Sequence, residues 1–179
     1  MGIDYKNRKY DVVPYDPRYK DQFENEAQVL NSIFGNSAIA IEHVGSTAVP
    51  GLSGKPTIDV LVLVEDIAIA EKLKQKMEGA GYKSLGEYVR PGTQLFVREE
   101  NNIRLCNIHV FPKDHPHAKE MLLLRDYFRS HKELVEEYSR LKNELLTKFP
   151  NDYGSYRKYK DEWMENLKSK IRKEFASNE

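Results

Sequence analysis

The sequence predicts an α+β fold: a mixed β-sheet with an N-terminal helix and a C-terminal helical hairpin or trio. Apolar residues recur every three or four positions in 19–34, form alternating or continuous β-branched runs between 38 and 111, and return to helical spacing from residue 114 onward. At 179 residues the chain has the length of one domain. We therefore expect a single domain, with a sheet-containing core in 1–112 and helices packed on it in 113–179.

The first helix is predicted to open at Asp16-Pro17, because aspartate suits the N-cap and proline the first helical position. Gly35 is placed to end this helix. Its apolar stripe consists of Tyr19, Phe23, Ala27, Leu30 and Phe34. Residues 38–44 then alternate as in a strand and lead into the Gly-rich loop GSTAVPGLSGKP, residues 45–56.

The sequence TIDVLVLV, residues 57–64, predicts a central strand because it is rich in β-branched residues and begins directly after Pro56. Asp66 can cap a helix that Gly79 and Gly81 terminate. That helix carries the apolar positions Ile69, Leu73, Met77 and Ala80. Further strands are expected near 82–88, 94–98 and 103–111, with residues 99–102 as the hairpin between the last two.

Three helices are expected after the sheet. The first begins at Asp114 or His115, before Pro116, and runs to about Ser130. His115 and His117 have no acidic or cysteine partner at metal-ligand spacing, so they indicate a helix start rather than a metal site. The other two helices carry the stripes Leu134, Tyr138, Leu141, Leu145, Phe149 and Tyr156, Tyr159, Trp163, Leu167, Ile171, Phe175.

Composition narrows the possible partners. Lys and Arg total 28 and Asp and Glu total 28, which argues against an extended nucleic-acid surface or a polybasic membrane binder. No run of about 20 apolar residues occurs, and the start MGIDYKNRKYD lacks an apolar signal core. We expect a cytoplasmic protein without membrane contact. The single cysteine, Cys106, lies in the apolar alternation IRLCNIHVF, which indicates a buried thiol.

The Gly-rich loop carries the first candidate binding residues. Gly45, Ser46 and Thr47 follow a strand and could expose backbone N–H groups and hydroxyls to a phosphate. Lys55 could add a positive charge there. Asp59 is anomalous, because an unpaired carboxylate is costly to bury inside an apolar strand.

Strand parity links Asp59 to a histidine. Asp59 lies opposite the aliphatic face of residues 57–64, and His109 lies opposite the aliphatic face of 103–111. If both aliphatic faces meet helices, Asp59 and His109 emerge on the same side of the sheet. Two alternatives stay open: backbone N–H groups of the turn could satisfy Asp59, and His109 could be purely structural.

A Gly-Ser turn followed some 13 residues later by an in-strand aspartate resembles the nucleotidyltransferase superfamily. The chain more closely resembles the GrpB family within it. The segments that carry this resemblance are VVPYDPRY (12–19), IEHVGSTAVPGLSGKPTIDVLV (41–62), NIHVFP (107–112), LLLRDYFRSH (122–131) and YRKYKDEW (156–163). The resemblance implies a nucleotidyltransferase-like fold and a relation to domains fused to some dephospho-CoA kinases, but no settled reaction.

The resemblance also implies a divalent metal, Mg²⁺ or Mn²⁺, with Asp59 as its ligand. Active transferases carry a second carboxylate two positions later, where this chain has Leu61. His109 lies near the third acidic position, but imidazole favours softer metals than Mg²⁺. Standard two-metal transfer is therefore in doubt.

Weaker signals lie in the C-terminal helices. Arg125 and Arg129 share a helix face and could reach a phosphate, although ordinary surface pairing explains them equally well. A second wall of the same cleft could carry Lys142 and the cluster Arg157, Lys158 and Lys160.

We expect a protein that binds a nucleotide or another phosphorylated small molecule. Gly45, Ser46 and Thr47 would cradle the phosphate, and Lys55, Arg125 and Arg129 would neutralise it. Asp59, His109 and Lys55 are the candidate catalytic residues for nucleotidyl or phosphoryl transfer. The alternatives are a non-catalytic binding or regulatory module that lacks the second metal carboxylate, and a protein whose helical end binds a partner.

Overall fold

The computed structural model describes residues 11–176, with side chains through Glu174. It contains a five-stranded sheet in the order β1-β2-β5-β4-β3, in which β2 and β5 are parallel and all other neighbours are antiparallel. The elements are α1 Tyr19–Phe34, β1 Ala38–Val44, β2 Ile58–Val64, α2 Ala68–Lys72, α3 Lys74–Gly79, β3 Lys83–Gly86, β4 Gln94–Glu100, β5 Ile103–Pro112, α4 Pro116–Ser130, α5 Lys132–Lys148 and α6 Tyr153–Ala176. The predicted α+β architecture with a mixed sheet and a C-terminal helical trio is confirmed.

Element boundaries differ from the prediction in three places. Helix α1 begins at Tyr19, because the Asp16 carboxylate accepts the Arg18 amide (2.9 Å) in a turn before the helix. The single helix expected after Asp66 is two short helices that meet at Leu73. The hairpin between β4 and β5 was expected at residues 99–102, but its turn consists of Asn101 and Asn102 alone. Both residues have positive φ, as a tight two-residue turn requires.

Both faces of the sheet pack against helices. The aliphatic face of β2 and β5 packs against α1, α2 and α3, as predicted from strand parity. On the opposite face, Leu61 and Phe111 pack against Ala118 of α4. Helices α4–α6 share a second core with Val49 and Leu52, so the Gly-rich loop is fixed between the sheet and the helices.

Beneath α1 lies a buried polar group that joins the helix to β4, to β5 and to the residue just before β3. The Glu26 carboxylate accepts hydrogen bonds from the Tyr82 hydroxyl (2.6 Å) and the Arg98 guanidinium. Cys106 lies beside it, and burial, followed by the Glu26 charge, raises the pKa of this thiol to about 12. The thiol is therefore unreactive at neutral pH, which agrees with the expected buried cysteine.

No helix in residues 11–176 combines the length and apolar character needed to cross a membrane. Two predictions concern parts of the chain outside the described residues. The expected lack of a signal segment rests on residues 1–10, and the predicted apolar stripe of the last helix ends at Phe175, whose side chain is not described.

We predict that Glu26→Gln destabilises the fold by about 2 kcal/mol, because it removes the charge that satisfies Arg98 and Tyr82. Urea unfolding measures the change. Glu24→Gln is the matched control on the same helix: Glu24 is exposed and lies 3.8 Å from Lys20, so its loss should cost well under about 1 kcal/mol. Equal losses in the two variants would contradict a structural role for the buried carboxylate.

Candidate functional site

The Gly-Ser turn brings backbone close to Asp59. Gly45 has φ +74°, and a Cβ at this position would lie 2.5 Å from Asp59 Oδ2, so only glycine fits. Ser46–Ala48 form a 3₁₀ turn immediately after it. Gly54 lies against the Ser46 side chain, where a Cβ would also clash. The two ends of the Gly-rich loop are thus held against each other at the mouth of β2.

Asp59 and His109 lie on the same face of the sheet, as strand parity predicts. In the parallel β2–β5 register, Asp59 pairs with Asn107 and Leu61 pairs with His109. Asn107 Nδ2 donates to Asp59 Oδ1 (2.8 Å), and His109 Nε2 lies 3.4 Å from the same oxygen. A carboxylate only accepts, so this contact assigns the proton to Nε2. His109 Nδ1 is buried and has no hydrogen-bond partner among the described residues.

The surroundings of Asp59 do not fit a divalent metal centre. Leu61, at the position of the missing second carboxylate, is fully buried against Ala118 of α4. Asp59 is accompanied by one amide and one imidazole, whereas Mg²⁺ prefers several oxygen ligands. In the described part of the chain, no group of three His, Cys, Asp or Glu side chains could hold a metal ion. The expectation that Asp59 binds Mg²⁺ or Mn²⁺ is therefore not supported.

Lys55 reaches across the cleft from the Gly-rich loop to α6. Its Nζ donates to the Tyr153 hydroxyl (3.1 Å) and lies 4.4 Å from the centre of that ring. Both side chains line the cleft. Lys55 therefore contributes positive charge on the side of the helices, away from the Asp59–His109 contact.

The hydroxyl of Thr47, a predicted phosphate-binding residue, is engaged inside the protein rather than at the cleft. The side chain is buried, and Oγ1 lies 2.9 Å from His43 Nε2 and 3.4 Å from the Thr57 carbonyl. The 3₁₀ turn causes this, because it rotates Thr47 away from Ser46 and into the core. Burial lowers the pKa of His43 to about 4, so this histidine is neutral at pH 7.

Arg125 and Arg129 of α4, the two predicted phosphate-binding arginines, differ in their relation to the cleft. Arg125 lines the cleft, but its guanidinium is held by Glu42 and Asp126, each at 2.7 Å. Arg129 is absent from the lining formed by the described residues, and its Nε donates to the Ala48 carbonyl (2.9 Å). Arg129 therefore stabilises the 3₁₀ turn from outside the cleft lining, and its contact with phosphate stays a prediction.

The wall formed by α5 carries a buried lysine. Lys142 is 4% exposed, its Nζ donates to the Ser53 carbonyl, and it lies 4.4 Å from the centre of the Tyr138 ring. Burial lowers the pKa of Lys142 to about 7, and the positive charge of Lys160 adds to this effect. The sequence contained a signal for this burial, since Lys142 lies four residues after Tyr138, on the apolar stripe of α5.

The cleft between the sheet and the helices has a volume of about 790 Å³. Among the described residues that line it, Asp59 is the only carboxylate, whereas seven residues are cationic. These are Lys55, Arg90, Arg104, Arg125, Lys142, Arg157 and Lys160. Lys158 is exposed and absent from that lining, which corrects its predicted place in the second wall. Within residues 11–174, four of the seven cationic residues are paired with carboxylates outside this lining: Arg104 with Glu99, Arg125 with Glu42 and Asp126, and both Arg157 and Lys160 with Asp161. The lining itself thus carries more cationic side chains than carboxylates.

Sequence reasoning did not identify Arg90, Arg104 or Asn107. Arg104 Nη1 donates to Asn107 Oδ1 (2.8 Å), which orients the amide toward Asp59. Asn107 shares strand parity with His109, so the alternation contained a signal for it. Arg90 lies in the segment between β3 and β4, and no sequence pattern places this segment at the cleft.

His115 caps α4, as the helix-start interpretation predicted. Its Nδ1 accepts the His117 amide (3.2 Å), and Pro116 occupies the first helical position. His117 lies 3.4 Å from Glu120 and lines the cleft.

We predict that Lys142→Met stabilises the ligand-free protein more at pH 6 than at pH 9.5. The wild-type lysine is charged below pH 7 in both the folded and the unfolded state, so burial of this charge costs free energy that disappears as the pH rises toward 10.5. The stability gain should differ by about 2 kcal/mol or more between the two pH values. Urea unfolding measures both gains.

Lys132→Met removes an exposed lysine from the same helix and is the control. Its effect should be equal at both pH values. A Lys142→Met gain that does not change with pH would show that the wild-type ammonium is not destabilised by burial.

A family model described as GrpB protein matches residues 9–170. The UPF0157 protein YqkA of Bacillus subtilis is 31% identical over 169 residues, which cover 94% of this chain and 49% of YqkA. A dephospho-CoA kinase of Mycolicibacterium paratuberculosis is 24% identical over 176 residues, covering 85% of this chain and 43% of the kinase. The chain therefore spans about half or less of the length of these two relatives.

Solved structures support the same assignment. The crystal structure of the conserved protein GrpB from Enterococcus faecalis is 31% identical and superposes with a TM-score of 0.84, covering 92% of this chain and 99% of that one. The Cid1 poly(U) polymerase is 14% identical with a TM-score of 0.52, covering 76% of this chain and 43% of that one, which shows likeness of fold alone. These matches confirm the predicted resemblance: the chain has a nucleotidyltransferase-like fold and belongs to the GrpB family.

Proposed function

We propose that this chain binds a nucleotide or another phosphorylated small molecule in the cleft between the Gly-Ser turn and helices α4–α6. The observation that carries the proposal is the charge of the cavity, where seven cationic side chains and one carboxylate are found among the described lining residues. Positive charge concentrated in a concave site attracts small anions and holds them by charge-assisted hydrogen bonds. A volume of about 790 Å³ suits a ligand of nucleotide size.

The cleft offers suitable contacts for both parts of such a ligand. Gly45 and Ser46 present an open turn beside Asp59, and Lys55, Lys142 and Lys160 supply positive charge on the opposite wall. The ring of Tyr88 is 46% exposed at the cleft and could stack on a base. In support, structures of Cid1, which has the same fold, are described in complex with the UTP analogue UMPNPP and with MgATP.

We favour a binding or regulatory module over a two-metal transferase. The reason is the donor set around Asp59, where Leu61 replaces the second carboxylate and packs under α4. Restoring a carboxylate at position 61 would bury a charge in this packed position, so the fold itself opposes a metal centre there.

Metal-independent nucleotidyl or phosphoryl transfer is the second candidate. It is favoured by the contact of His109 Nε2 with Asp59 Oδ1 and by the unpaired Nδ1 of the same ring, because a histidine oriented by a carboxylate can move protons. In that case His109 acts as the acid or base, Asp59 orients it, and Asn107 holds Asp59 in place.

We predict that a panel of nucleotides, sugar phosphates and coenzyme A precursors contains a ligand that raises the Tm. A ligand present at 100 times its Kd stabilises the fold by about 2.7 kcal/mol. For a chain of this size that corresponds to a shift of about 5–10 °C. Lys160→Gln should reduce the shift because Lys160 lines the cleft.

Lys170→Gln, which removes an exposed lysine farther along α6, is the matched control and should leave the shift unchanged. If no phosphorylated ligand stabilises the protein at saturating concentration, the proposed function is wrong. Incubation of the stabilising ligand with the protein, followed by analysis of the products, separates the two candidates: an unchanged ligand supports the binding module, and a transferred phosphoryl or nucleotidyl group supports the transferase.

A further inference from the structure

Lys142 is a buried cation without a counter-charge in the described protein. Its Nζ contacts the Ser53 carbonyl and the face of the Tyr138 ring, and none of the ion pairs among residues 11–174 includes it. The neighbouring charge is also positive, since Lys160 acts on it from α6. An ammonium in such surroundings costs free energy unless an anion approaches it.

An anion can reach Lys142, because the side chain lines the cleft although it is almost completely buried. A Cβ on Gly54 would lie 3.5 Å from Lys142 Nζ, so the absence of a side chain at Gly54 keeps space open beside the ammonium. Ser46 and Lys55 line the same region of the cavity. The opening therefore connects the ammonium with the Gly-Ser turn.

On the sheet side, the single carboxylate is already engaged. Asp59 Oδ1 receives Asn107 and faces His109, and Oδ2 lies against Gly45. These contacts leave no cluster of oxygen ligands that would hold a cation between the protein and a phosphate.

We propose that Lys142 is the counter-charge for the ligand's terminal phosphate, and that the cleft binds the free phosphate chain rather than its Mg²⁺ complex. This inference rests on the proposed function and deepens it, because it names the ionic form of the ligand and the residue that selects it. A phosphate chain already neutralised by Mg²⁺ would present less negative charge to Lys142, Lys160 and Lys55, and it would bind more weakly.

Proton uptake follows from the same geometry. The titratable or charged groups that face the ammonium are Tyr138 on its own helix and Lys160 on α6, which is itself paired with Asp161 (2.8 Å). The Gly-rich loop presents the neutral Ser53 carbonyl and Gly54, followed by Lys55. Because burial lowers the pKa of Lys142 to about 7, most of the side chain is neutral at pH 8 in the free protein. A phosphate beside it restores the ammonium, so the Lys142 side chain should take up as much as one proton on binding at pH 8.

Isothermal titration calorimetry with inorganic tripolyphosphate tests the proposal. Wild-type protein is titrated with EDTA present and again with excess Mg²⁺. The EDTA titration at pH 8 is repeated in two buffers of different ionisation enthalpy, which gives the number of protons taken up. Lys142→Met is compared with Lys132→Met, whose lysine is exposed on the same helix.

We expect tripolyphosphate to bind more tightly in EDTA than in Mg²⁺. Lys142→Met should weaken binding at least about tenfold and lower the number of protons taken up at pH 8, and Lys132→Met should change neither. Tighter binding in Mg²⁺, or the same proton number for the wild type and Lys142→Met, would overturn the inference. So would a Lys142→Met variant that binds as the wild type does.

The outcomes also separate this inference from the proposed function. If a nucleotide or coenzyme A precursor binds in the cleft but the Lys142 results are negative, only the role of Lys142 fails. If no phosphorylated compound binds, both fail. The comparison of EDTA with Mg²⁺ is made on the wild type and requires no variant, so a folding defect in Lys142→Met would still leave a decisive measurement.

Discussion

The parallel pairing of β2 with β5 is the constraint on which the site depends. It sets Asp59 beside Asn107 and brings His109 within reach of the same carboxylate oxygen. A shift of this register by one residue would turn Asp59 away from Asn107 and His109 and into the aliphatic core beneath α1. Gly45 closes the arrangement from above, because only glycine leaves room for the carboxylate. The β2–β5 register places the Asp59 carboxylate, and the turn at Gly45 leaves the space that this carboxylate occupies.

The helices complete the cleft through the Gly-rich loop. Ser53 is held by α5 at both backbone groups: its amide donates to the Ser139 hydroxyl (3.0 Å), and its carbonyl accepts from Lys142. Arg129 of α4 holds the Ala48 carbonyl of the same loop. The loop thus has a fixed conformation between a sheet that supplies one carboxylate and helices that supply positive charge. This division explains how a chain with balanced charge can line one cavity with more cationic side chains than carboxylates.

The sequence predicted most of the fold because its apolar periods are clear, and strand parity placed Asp59 and His109 on one face. Local pattern could not reveal the 3₁₀ turn that buries Thr47 or the backbone contact of Arg129. The first depends on the contact of the turn with His43 of β1, and the second on how α4 packs against the loop. Arg90 was missed because it reaches the cleft only through tertiary folding. Lys142 was a weak candidate in the sequence, although its position on an apolar stripe indicated burial.

The account rests on the claim that protein cations, and not a metal ion, neutralise the ligand. A crystal structure of the protein with tripolyphosphate, grown in the presence of Mg²⁺, tests this claim most directly. We expect density for phosphate within hydrogen-bond distance of Lys142 Nζ, and a carboxylate of Asp59 that still contacts Asn107 and His109. Phosphate bridged to Asp59 by Mg²⁺, or bound outside the cleft, would contradict it.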